Sequence, residues 1–442
     1  MADLLRLATA GSVDDGKSTL VGRLLYDTKS VLADQLAAVE RASADRGLTI
    51  ADLSLLVDGL RAERDQGITI DVAYRYFATG RRTFVLADTP GHVQYTRNTV
   101  TGASTAQLAI LLVDARKGVV EQTRRHAAVL ALLGVPRLVL AVNKMDLVGY
   151  DPSAFALIAK EFTGNVTALG YDEADLLAVP VSALHGDNVV TRSANMPWYQ
   201  GPLLLEHLQA VPVEPDPHHL PLRLPVQYVI RPRTATHPDY RGYAGLVAAG
   251  LVRVGDEVVV LPAGRRTTVT GIDTADGPLT EAGAGTSVTV LLADELDVAR
   301  GDLIATAAAP PALADTFTVT VCWLAERPLR AGARVLVKHG TRTEPAIVTE
   351  LLDRFDEQRL STVSAPDRLV LNEIGRVTVR TAGPLPADDY AVSRRTGSLL
   401  LIDPASGSTL GAGLVGGPLP VAAEDRAGCT GAGPRDVLSP GP

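Results

Sequence analysis

The distribution of apolar and polar residues divides the chain into regions with different periods. From residue 4 to about residue 210, short apolar runs alternate with segments in which apolar residues recur at helical spacing. This alternation is typical of a mostly parallel β-sheet with helices on both faces. The predicted strands are LLRLATA, RTFVLAD, LAILLVDA, RLVLAVN and LLAVPVS. Ligand-binding side chains are therefore expected just beyond the carboxyl ends of these strands.

A proline-rich stretch at residues 211–225 ends this pattern and predicts an interdomain linker. Beyond it, short alternating segments separated by Gly, Pro and Asp turns predict two β-barrels. The first set is PVQYVI, GLVAAGLV, DEVVVLP and RRTTVTGI, and the second is TFTVTVCWL, ARVLVKHG, EPAIVTELL, IGRVTVRT and GSLLLID. An alanine- and proline-rich break at residues 305–314 separates the two sets.

These patterns predict three domains and a tail. For a chain of 442 residues, a typical domain size of roughly 150 residues also predicts about three domains. The predicted segments are an α/β domain at 1–215, a first barrel at 222–308, a second barrel at 313–416, and a tail at 417–442. The tail is rich in Gly and Pro, so we expect it to be disordered.

Composition narrows the class of protein. No apolar run approaches the ~18 residues of a membrane helix, and the amino-terminal segment lacks the features of an export signal, so we expect a cytoplasmic protein without membrane contact. Cys322 and Cys429 form neither a disulfide framework nor a metal-ligand spacing, in agreement with a reducing compartment. The net charge of −8 argues against general nucleic-acid binding.

The clearest motif follows the first predicted strand. The segment GSVDDGKS at residues 11–18 fits the phosphate-binding pattern G-x-x-x-x-G-K-[ST] and precedes a predicted helix, STLVGRLLYD. Its glycines let backbone N–H groups surround a β-phosphate at the positive end of the helix. Lys17 can span the β- and γ-phosphates, and the Ser18 hydroxyl can ligate Mg²⁺. The candidate phosphate-binding residues are Gly11, Ser12, Val13, Asp14, Asp15, Gly16, Lys17, Ser18 and Thr19.

A second motif, DTPGH, follows the predicted strand RTFVLAD and comprises Asp88, Thr89, Pro90, Gly91 and His92. A D-x-x-G segment by itself is as readily a turn. Its position beside the phosphate-binding loop favours a functional role, in which Asp88 holds Mg²⁺ through water and the Gly91 N–H donates to a γ-phosphate.

Two further segments predict the base that is bound. Asn143, Lys144, Met145 and Asp146 follow the strand RLVLAVN. The Asp146 carboxylate can accept from both N1–H and the 2-amino group of guanine, two donors that adenine lacks. Asn143 can brace the loop, and Lys144 can lay its stem along the base. After the strand LLAVPV, the residues Ser182, Ala183 and Leu184 can complete the pocket with a backbone N–H.

Together these motifs resemble those of the translation-factor GTPases over residues 4 to about 415. The resemblance implies an α/β P-loop GTPase domain followed by two β-barrel domains, with GTP and Mg²⁺ as cofactors. It also implies that residues 63–70 form the first switch, with Thr69 as a Mg²⁺ ligand in the GTP state. By the same resemblance His92 orients the attacking water, while Val13 and Ile68 form the apolar gate through which it swings. The candidate catalytic residues are therefore His92 and Lys17.

Within that superfamily the chain is similar to the GTPase subunits of bacterial sulfate adenylyltransferase. Ser12 and Asp15 replace the two histidines that elongation factors usually carry, and flanking segments such as GRLLYDTKS, DARKGVVEQTRRH and DYRGYAG are also similar. In that family a separate, smaller ATP-binding catalytic subunit transfers AMP to sulfate, and GTP hydrolysis drives the reaction. The resemblance implies such a partner and makes nucleic acid an unlikely one.

Two other functions stay open on the sequence alone. One is delivery of aminoacyl-tRNA, which predicts an RNA-binding surface on the barrels, and the other is a regulatory switch without an enzymatic partner. The segment at residues 34–63 between phosphate-binding loop and first switch is expected to be a charged helical insert. Val93 and the run from Thr99 to Thr101 depart from the family pattern, but neither departure touches a phosphate or Mg²⁺ group.

Overall fold

A computed structural model describes residues 3–45, 47, 51–57, 71–92, 96–212, 219–232, 239–356 and 361–417. The predicted Mg²⁺ ligand Thr69, the gate residue Ile68 and residues 418–442 of the predicted tail lie outside the described residues. The chain forms two compact units, one within Met1–Val213 and one comprising Glu214–Phe355 with Val363–Leu419.

The first unit is built on a six-stranded sheet with the order β2-β3-β1-β4-β5-β6. Its strands are β1 (Asp3–Gly11), β2 (Ala73–Ala78), β3 (Arg82–Asp88), β4 (Leu108–Asp114), β5 (Leu138–Asn143) and β6 (Leu176–Pro180). All neighbours are parallel except β2, which runs antiparallel to β3. Strands β4 and β5 are buried along their whole length, and each is a continuous apolar run that ends in one polar residue. Such runs are expected for parallel strands covered on both faces.

In the described ranges of the first unit, six α-helices accompany these strands. They are α1 (Lys17–Asp27), α2 (Ala33–Asp45), α3 (Thr96–Ala103), α4 (Glu121–Leu132), α5 (Pro152–Ala168) and α6 (Leu204–Ala210), with short 3₁₀ turns at Leu53–Leu56, Met145–Val148 and Glu173–Asp175. Local sequence sets where α5 begins, since the Asp151 carboxylate accepts from the Ser153 N–H at 2.9 Å and a proline occupies the first helical position. Among the described residues, none of these helices combines the length and apolarity needed to cross a membrane.

The five strands predicted for this region are all present, which confirms the α/β prediction. The sixth, β2, escaped the sequence analysis because it is an edge strand without a continuous apolar run. Its side chains alternate, with Tyr74 and Tyr76 exposed and Phe77 buried. Of the predicted helical insert at residues 34–63, the described part is helical up to Asp45, where α2 ends, and again in the 3₁₀ turn at Leu53–Leu56.

In the second unit, the first antiparallel sheet has the order β7-β16-β11-β12-β15-β9-β8, with β13 attached to β12 and the pair β10–β14 separate. The strands are β7 (Arg223–Pro225), β8 (Tyr228–Ile230), β9 (Gly242–Leu246), β10 (Leu251–Arg253), β11 (Glu257–Leu261), β12 (Arg265–Thr274), β13 (Gly277–Leu279), β14 (Glu281–Gly283), β15 (Ser287–Leu292) and β16 (Leu303–Thr306). Leu224 near one end of the sheet and Tyr243 near the other share one buried cluster, so the sheet curls around its core.

Two predictions made from the sequence are wrong in this sheet. The segment GLVAAGLV is not one strand, because the chain turns at Gly250, whose φ is +76°. A Cβ at Gly250 would lie 2.5 Å from the Leu222 backbone nitrogen, so only glycine fits. The predicted linker also extends too far, since Arg223–Pro225 pairs with β16 as an edge strand that tolerates proline.

The second antiparallel sheet of this unit closes on itself. Its strands are β17 (Ala312–Trp323), β18 (Arg334–His339), β19 (Arg342–Asp356), β20 (Ser361–Ser364), β21 (Ile374–Ala387), β22 (Ser398–Ile402) and β23 (Thr409–Val415). The order β18-β22-β23-β17-β21-β19 returns to β18, which makes a six-stranded barrel with β20 at its margin. The break expected at 305–314 is narrower, because β16 runs to Thr306 and β17 begins at Ala312.

Candidate nucleotide-binding site

The loop between β1 and α1 has the form of an anion-binding nest. Asp14 and Gly16 have φ of +67° and +94°, so the chain turns sharply before α1 begins at Lys17. The Asp15 carboxylate accepts from the Ser12 N–H at 2.6 Å and closes the loop from inside. Such alternation of backbone handedness at a helix amino terminus directs successive N–H groups toward one point. The loop can therefore surround a phosphate.

The Lys17 side chain folds back over this loop. It is buried, and its ammonium donates to the carbonyls of Gly11 at 2.9 Å and Ser12 at 2.8 Å. Burial lowers the pKa of Lys17, and the charges of Asp88 and Asp15 oppose that shift. Because the ammonium is bound to carbonyls and forms no ion pair with another described residue, it can compensate the charge of a bound phosphate.

The DTPGH segment lies directly against the loop. Strands β1 and β3 place Thr9 opposite Asp88, and the Thr9 hydroxyl donates to the buried Asp88 carboxylate at 2.8 Å. The Thr89 hydroxyl donates in turn to the Thr9 carbonyl at 2.5 Å. A Cβ on Gly91 would lie 2.7 Å from the Gly11 carbonyl oxygen, a backbone atom, as well as 2.3 Å from the Lys17 ammonium nitrogen. The glycine of D-x-x-G is therefore needed for the two motifs to approach.

The remaining predicted phosphate and metal residues differ in how they are placed. The carbonyl of Pro90 accepts from the Thr99 hydroxyl at 3.4 Å, which holds the segment against α3. Ser18 is partly buried in the first turn of α1, and its hydroxyl makes no hydrogen bond to another residue that the structure describes. His92 is exposed. Val13 and Thr19 are partly buried.

Asn143 joins the phosphate-binding loop to the predicted base pocket. Its amide donates to the Asp15 carbonyl at 2.8 Å, and its oxygen accepts from the Ala183 N–H at 2.9 Å. The side chain is buried and packs so closely on Gly16 that a Cβ there would lie 2.4 Å from the amide nitrogen. One asparagine thus connects its own loop to two others, whose residues lie 128 and 40 positions away in the chain.

The base pocket itself is bounded by the NKMD and SAL segments. Lys144 has a φ of +64°, and its ammonium donates to the Asp14 carbonyl. Met145 and Ser182 are buried, whereas the Leu184 side chain is exposed. The Asp146 carboxylate is partly buried and makes no hydrogen bond or ion pair with any other residue in the described ranges. It is therefore available to accept from a ligand.

Three residues that the sequence analysis did not single out belong to this site. Arg23 of α1 donates to the carbonyls of Ala183, at 3.1 Å, and Leu184. Asp114, at the end of β4, lies 3.1 Å from the Lys144 ammonium. Nδ1 of His126 accepts from the Gly11 N–H at 3.1 Å.

His126 carries a signal that the sequence could have revealed. It occupies the buried face of α4 together with Thr123, Ala127 and Leu130, the spacing of an apolar stripe. Burial lowers the pKa of His126 to about 3, and the nearby charges of Lys17 and Arg125 act in the same direction. The imidazole is therefore neutral near pH 7, and its Nδ1 is an acceptor that fixes the start of the phosphate-binding loop.

Comparison with known proteins agrees with this geometry. Residues 2–221 match the Elongation factor Tu GTP binding domain, and residues 316–416 match the GTP-eEF1A C-terminal domain-like family. The Bifunctional enzyme CysN/CysC of Mycobacterium tuberculosis is 56% identical over 416 residues, which cover 94% of this chain and 67% of that protein.

Sulfate adenylyltransferase subunit 1 of Laribacter hongkongensis is 49% identical over 416 residues, covering 93% of this chain and 85% of that protein. The protein of the same name from Methylorubrum populi is 49% identical over 415 residues, covering 93% and 87%. The chain belongs to the sulfate adenylyltransferase subunit 1 family, a branch of the translation-factor GTPases.

Proposed function

We propose that this chain binds and hydrolyses GTP, and that the hydrolysis drives formation of adenosine 5'-phosphosulfate from ATP and sulfate by a smaller ATP-binding catalytic subunit. The observation that carries the proposal is the pair of hydrogen bonds made by Asn143, which connect the phosphate-binding loop to the base pocket. The loop that contacts the phosphates of a bound nucleotide and the loops that contact its base would therefore be held together by Asn143.

Guanine is the base that this pocket favours. The Asp146 carboxylate has no protein partner among the described residues and can accept from both N1–H and the 2-amino group. The backbone of the Ser182–Leu184 segment would supply a donor for the guanine carbonyl, with Arg23 holding that segment in place. Adenine would leave the carboxylate partly desolvated and unpaired, which costs binding free energy.

The donor set at the phosphate end fits Mg²⁺. The Ser18 hydroxyl would ligate Mg²⁺ directly and the Asp88 carboxylate would hold it through water, since both are oxygen donors of the kind that Mg²⁺ takes from proteins. Thr69 would be a further protein ligand in the GTP state, by family resemblance. When bound, Mg²⁺ supplies positive charge that stabilises charge on the transferring phosphoryl group.

The protein residues contribute position and charge to hydrolysis. His92 would orient a water for in-line attack on the γ-phosphorus. The new P–O bond forms as the bond to the β–γ bridging oxygen breaks, GDP leaves, and the proton of the water ends on the released inorganic phosphate. Lys17 neutralises charge that develops on the phosphate oxygens. The backbone N–H of Gly91 would donate to the γ-phosphate.

The coupling has a thermodynamic reason. The phosphoric–sulfuric anhydride of adenylyl sulfate is high in free energy, so its formation from ATP and sulfate needs a second, favourable reaction. Among the relatives, the name subunit 1 implies a second subunit. Those names also favour sulfate activation over delivery of aminoacyl-tRNA. We further propose the division into a G domain at 1–215 and barrel domains at 222–308 and 313–416.

Copurification of the chain with any bound partner, followed by GTPase assays, tests this function. We expect GTP turnover to rise when ATP, sulfate and the partner are present together, and adenylyl sulfate to form only while GTP is hydrolysed. GTP turnover that ignored ATP and sulfate but responded to aminoacyl-tRNA would show that the proposal is wrong. Turnover that responded to neither would favour a regulatory switch.

A further inference from the structure

Asp114 ends β4, one of the two central strands of the sheet in the first unit, and no contact of its carboxylate with the nucleotide is predicted. Its side chain is fully buried, and every other residue of β4 is buried and apolar. A carboxylate in such surroundings is costly unless it is paired and fully hydrogen bonded. A buried carboxylate at this position must therefore be stabilised by specific partners.

Both oxygens of Asp114 are occupied by donors. One accepts from the Arg116 backbone N–H and from Arg116 Nε, each at 3.0 Å. The other accepts from Arg116 Nη2 at 2.6 Å and lies 3.1 Å from the Lys144 ammonium. Burial alone would raise the pKa of Asp114, but the hydrogen bonds from Arg116 and Lys144 outweigh it and hold the pKa well below its usual range. The group is therefore a fixed negative charge near pH 7.

Lys144 connects this charge to the nucleotide site. Its backbone is in the left-handed region at φ +64°, and its ammonium bonds to the Asp14 carbonyl as well as to Asp114. A lysine stem has four rotatable carbons and loses considerable conformational entropy when it is ordered. Two partners at its tip hold this stem extended from the end of β5 to the phosphate-binding loop.

We propose that Asp114 is a positioning residue for guanine binding, which acts by holding Lys144 extended across the base pocket. The inference rests on the proposed function, because it requires a guanine nucleotide in that pocket. Guanine is common to GTP and GDP, so losing this interaction should weaken both equally. The transition state and the bound substrate lose the same interaction, so turnover at saturating GTP should not change.

Replacing Asp114 by Asn removes the charge and keeps the shape. In the full chain, we expect Asp114→Asn to raise Kd for both GDP and GTP by roughly tenfold, measured by titration with a fluorescent nucleotide, and to leave kcat within about twofold. Lys144→Met should weaken binding by at least as much. If Asp114 acts through Lys144, the double variant will bind no more weakly than Lys144→Met alone. If the fold-losses of nucleotide affinity in the two single variants multiply in the double variant, the inference is wrong.

Arg116→Ala is the matched control. The Arg116 side chain is 47% exposed and is the other partner of Asp114. Its removal leaves the contact between Asp114 and Lys144 in place. We expect Kd for GDP to change by less than about twofold. An effect as large as that of Asp114→Asn would mean that burial of the carboxylate, and not the position of Lys144, controls affinity.

A measurement on the unaltered chain covers the case in which Asp114→Asn does not fold. Nuclear magnetic resonance of ¹⁵N-labelled lysine should show the Lys144 ammonium protons exchanging much more slowly than those of exposed Lys160. Equal exchange would contradict the held conformation. Failure of the unaltered chain to bind GDP would overturn the proposed function, whereas normal GDP binding with an unchanged Kd in Asp114→Asn would overturn only this inference.

Discussion

Polar side chains at the nucleotide site fall into two groups by what they already bind. Asp15, Lys17 and Asn143 hydrogen bond to backbone groups of the site itself and so maintain the shape of its loops. Ser18 and Asp146 make no hydrogen bond through their side chains to other residues in the described parts of the chain. The first group maintains the site in the absence of ligand, and the second retains its donors and acceptors for the ligand.

His92 gives the most direct test at the level of single residues. We expect His92→Ala to lose GTP turnover by roughly 10²-fold or more while Kd for GTP and GDP stays within about threefold, because the residue would orient water and not the nucleotide. Single-turnover hydrolysis and nucleotide titration measure the two effects. His219→Ala, which removes an exposed histidine of the second unit, is the control. Intact turnover in His92→Ala would contradict the role in water positioning.

His126 makes the stability of the first unit depend on pH. Its pKa in the folded chain is lowered to about 3, below the ~6.5 of an unfolded histidine, so between these values the unfolded state binds the extra proton. Stability from this group is complete above about pH 7 and decreases as the pH falls toward 3. For these two pKa values, the loss between pH 7 and pH 5 is about 2 kcal/mol.

His126→Asn should remove that dependence while keeping an acceptor for the Gly11 N–H. Urea unfolding followed by far-UV circular dichroism, at pH 7 and pH 5, measures the effect in both chains. We expect the free energy of unfolding to fall by about 2 kcal/mol less in the variant than in the unaltered chain. If the free energy of unfolding changed equally between pH 7 and pH 5 in both chains, His126 would not be buried in its neutral form.

At the level of elements, two glycines inside helices differ in what surrounds them. Gly22 of α1 faces the 3₁₀ turn at Leu53–Leu56, and a Cβ there would lie 2.1 Å from the Leu53 carbonyl oxygen. Gly164 of α5 faces open space, with nothing within 4 Å of a Cβ. The first glycine is required for α1 to pack, and the second only weakens its helix.

Alanine at these two positions should therefore have opposite effects. Gly164→Ala is expected to stabilise the first unit by about 0.5–1 kcal/mol, because alanine has less freedom to lose on folding. Gly22→Ala is expected to destabilise it by about 1–3 kcal/mol, because a backbone carbonyl must move. The α-helices that the structure describes all lie in the first unit, so far-UV circular dichroism during urea unfolding follows both variants. Stabilisation by Gly22→Ala would show that α1 does not pack as described.

At the level of the whole molecule, a buried ion pair joins the two sheets of the second unit. Arg223 of β7 donates to both oxygens of Asp388, just beyond β21, at 2.9 Å each, and the two side chains are only 6% and 10% exposed. The Thr396 hydroxyl donates to the same carboxylate at 2.6 Å. Burial would raise the pKa of Asp388, but these hydrogen bonds and the charge of Arg223 lower it. The pair is thus ionised and fixes one sheet against the other.

Arg223→Met should leave Asp388 as a buried charge without its partner. We expect the free energy of unfolding of the second unit to fall by about 3–5 kcal/mol. In a Trp198→Phe background, the fluorescence of Trp323 reports on this unit alone, because the chain has two tryptophans. Arg330→Ala breaks an exposed pair with Asp367 and should cost less than about 1 kcal/mol. Similar losses in the two variants would contradict a buried, stabilising role for Arg223.

Much of this architecture was predictable because its signals are local. Apolar runs such as that of β4 predict a buried strand wherever they occur, and the phosphate-binding pattern between a strand and a helix predicts the loop at Gly11–Ser18. The edge strand β2 has no such run, because alternate residues are exposed. The strand β23 has none because it contains glycines, and side chains of neighbouring strands fill the space above Gly413. The roles of Thr69 and His92 stay predictions.

By itself, the sequence determined the five apolar strands of the first unit, the two sets of β segments that follow and the residues that can bind phosphate and guanine, because these depend on short stretches of chain. Only the tertiary structure decided which of them meet. Asn143 reaches Asp15 across 128 positions, and His126 reaches Gly11 across 115. Such contacts follow from the sheet order β3-β1-β4-β5, which brings distant strand ends together. A pattern read along the chain contains no information about that adjacency, which arises from the packing of the whole sheet.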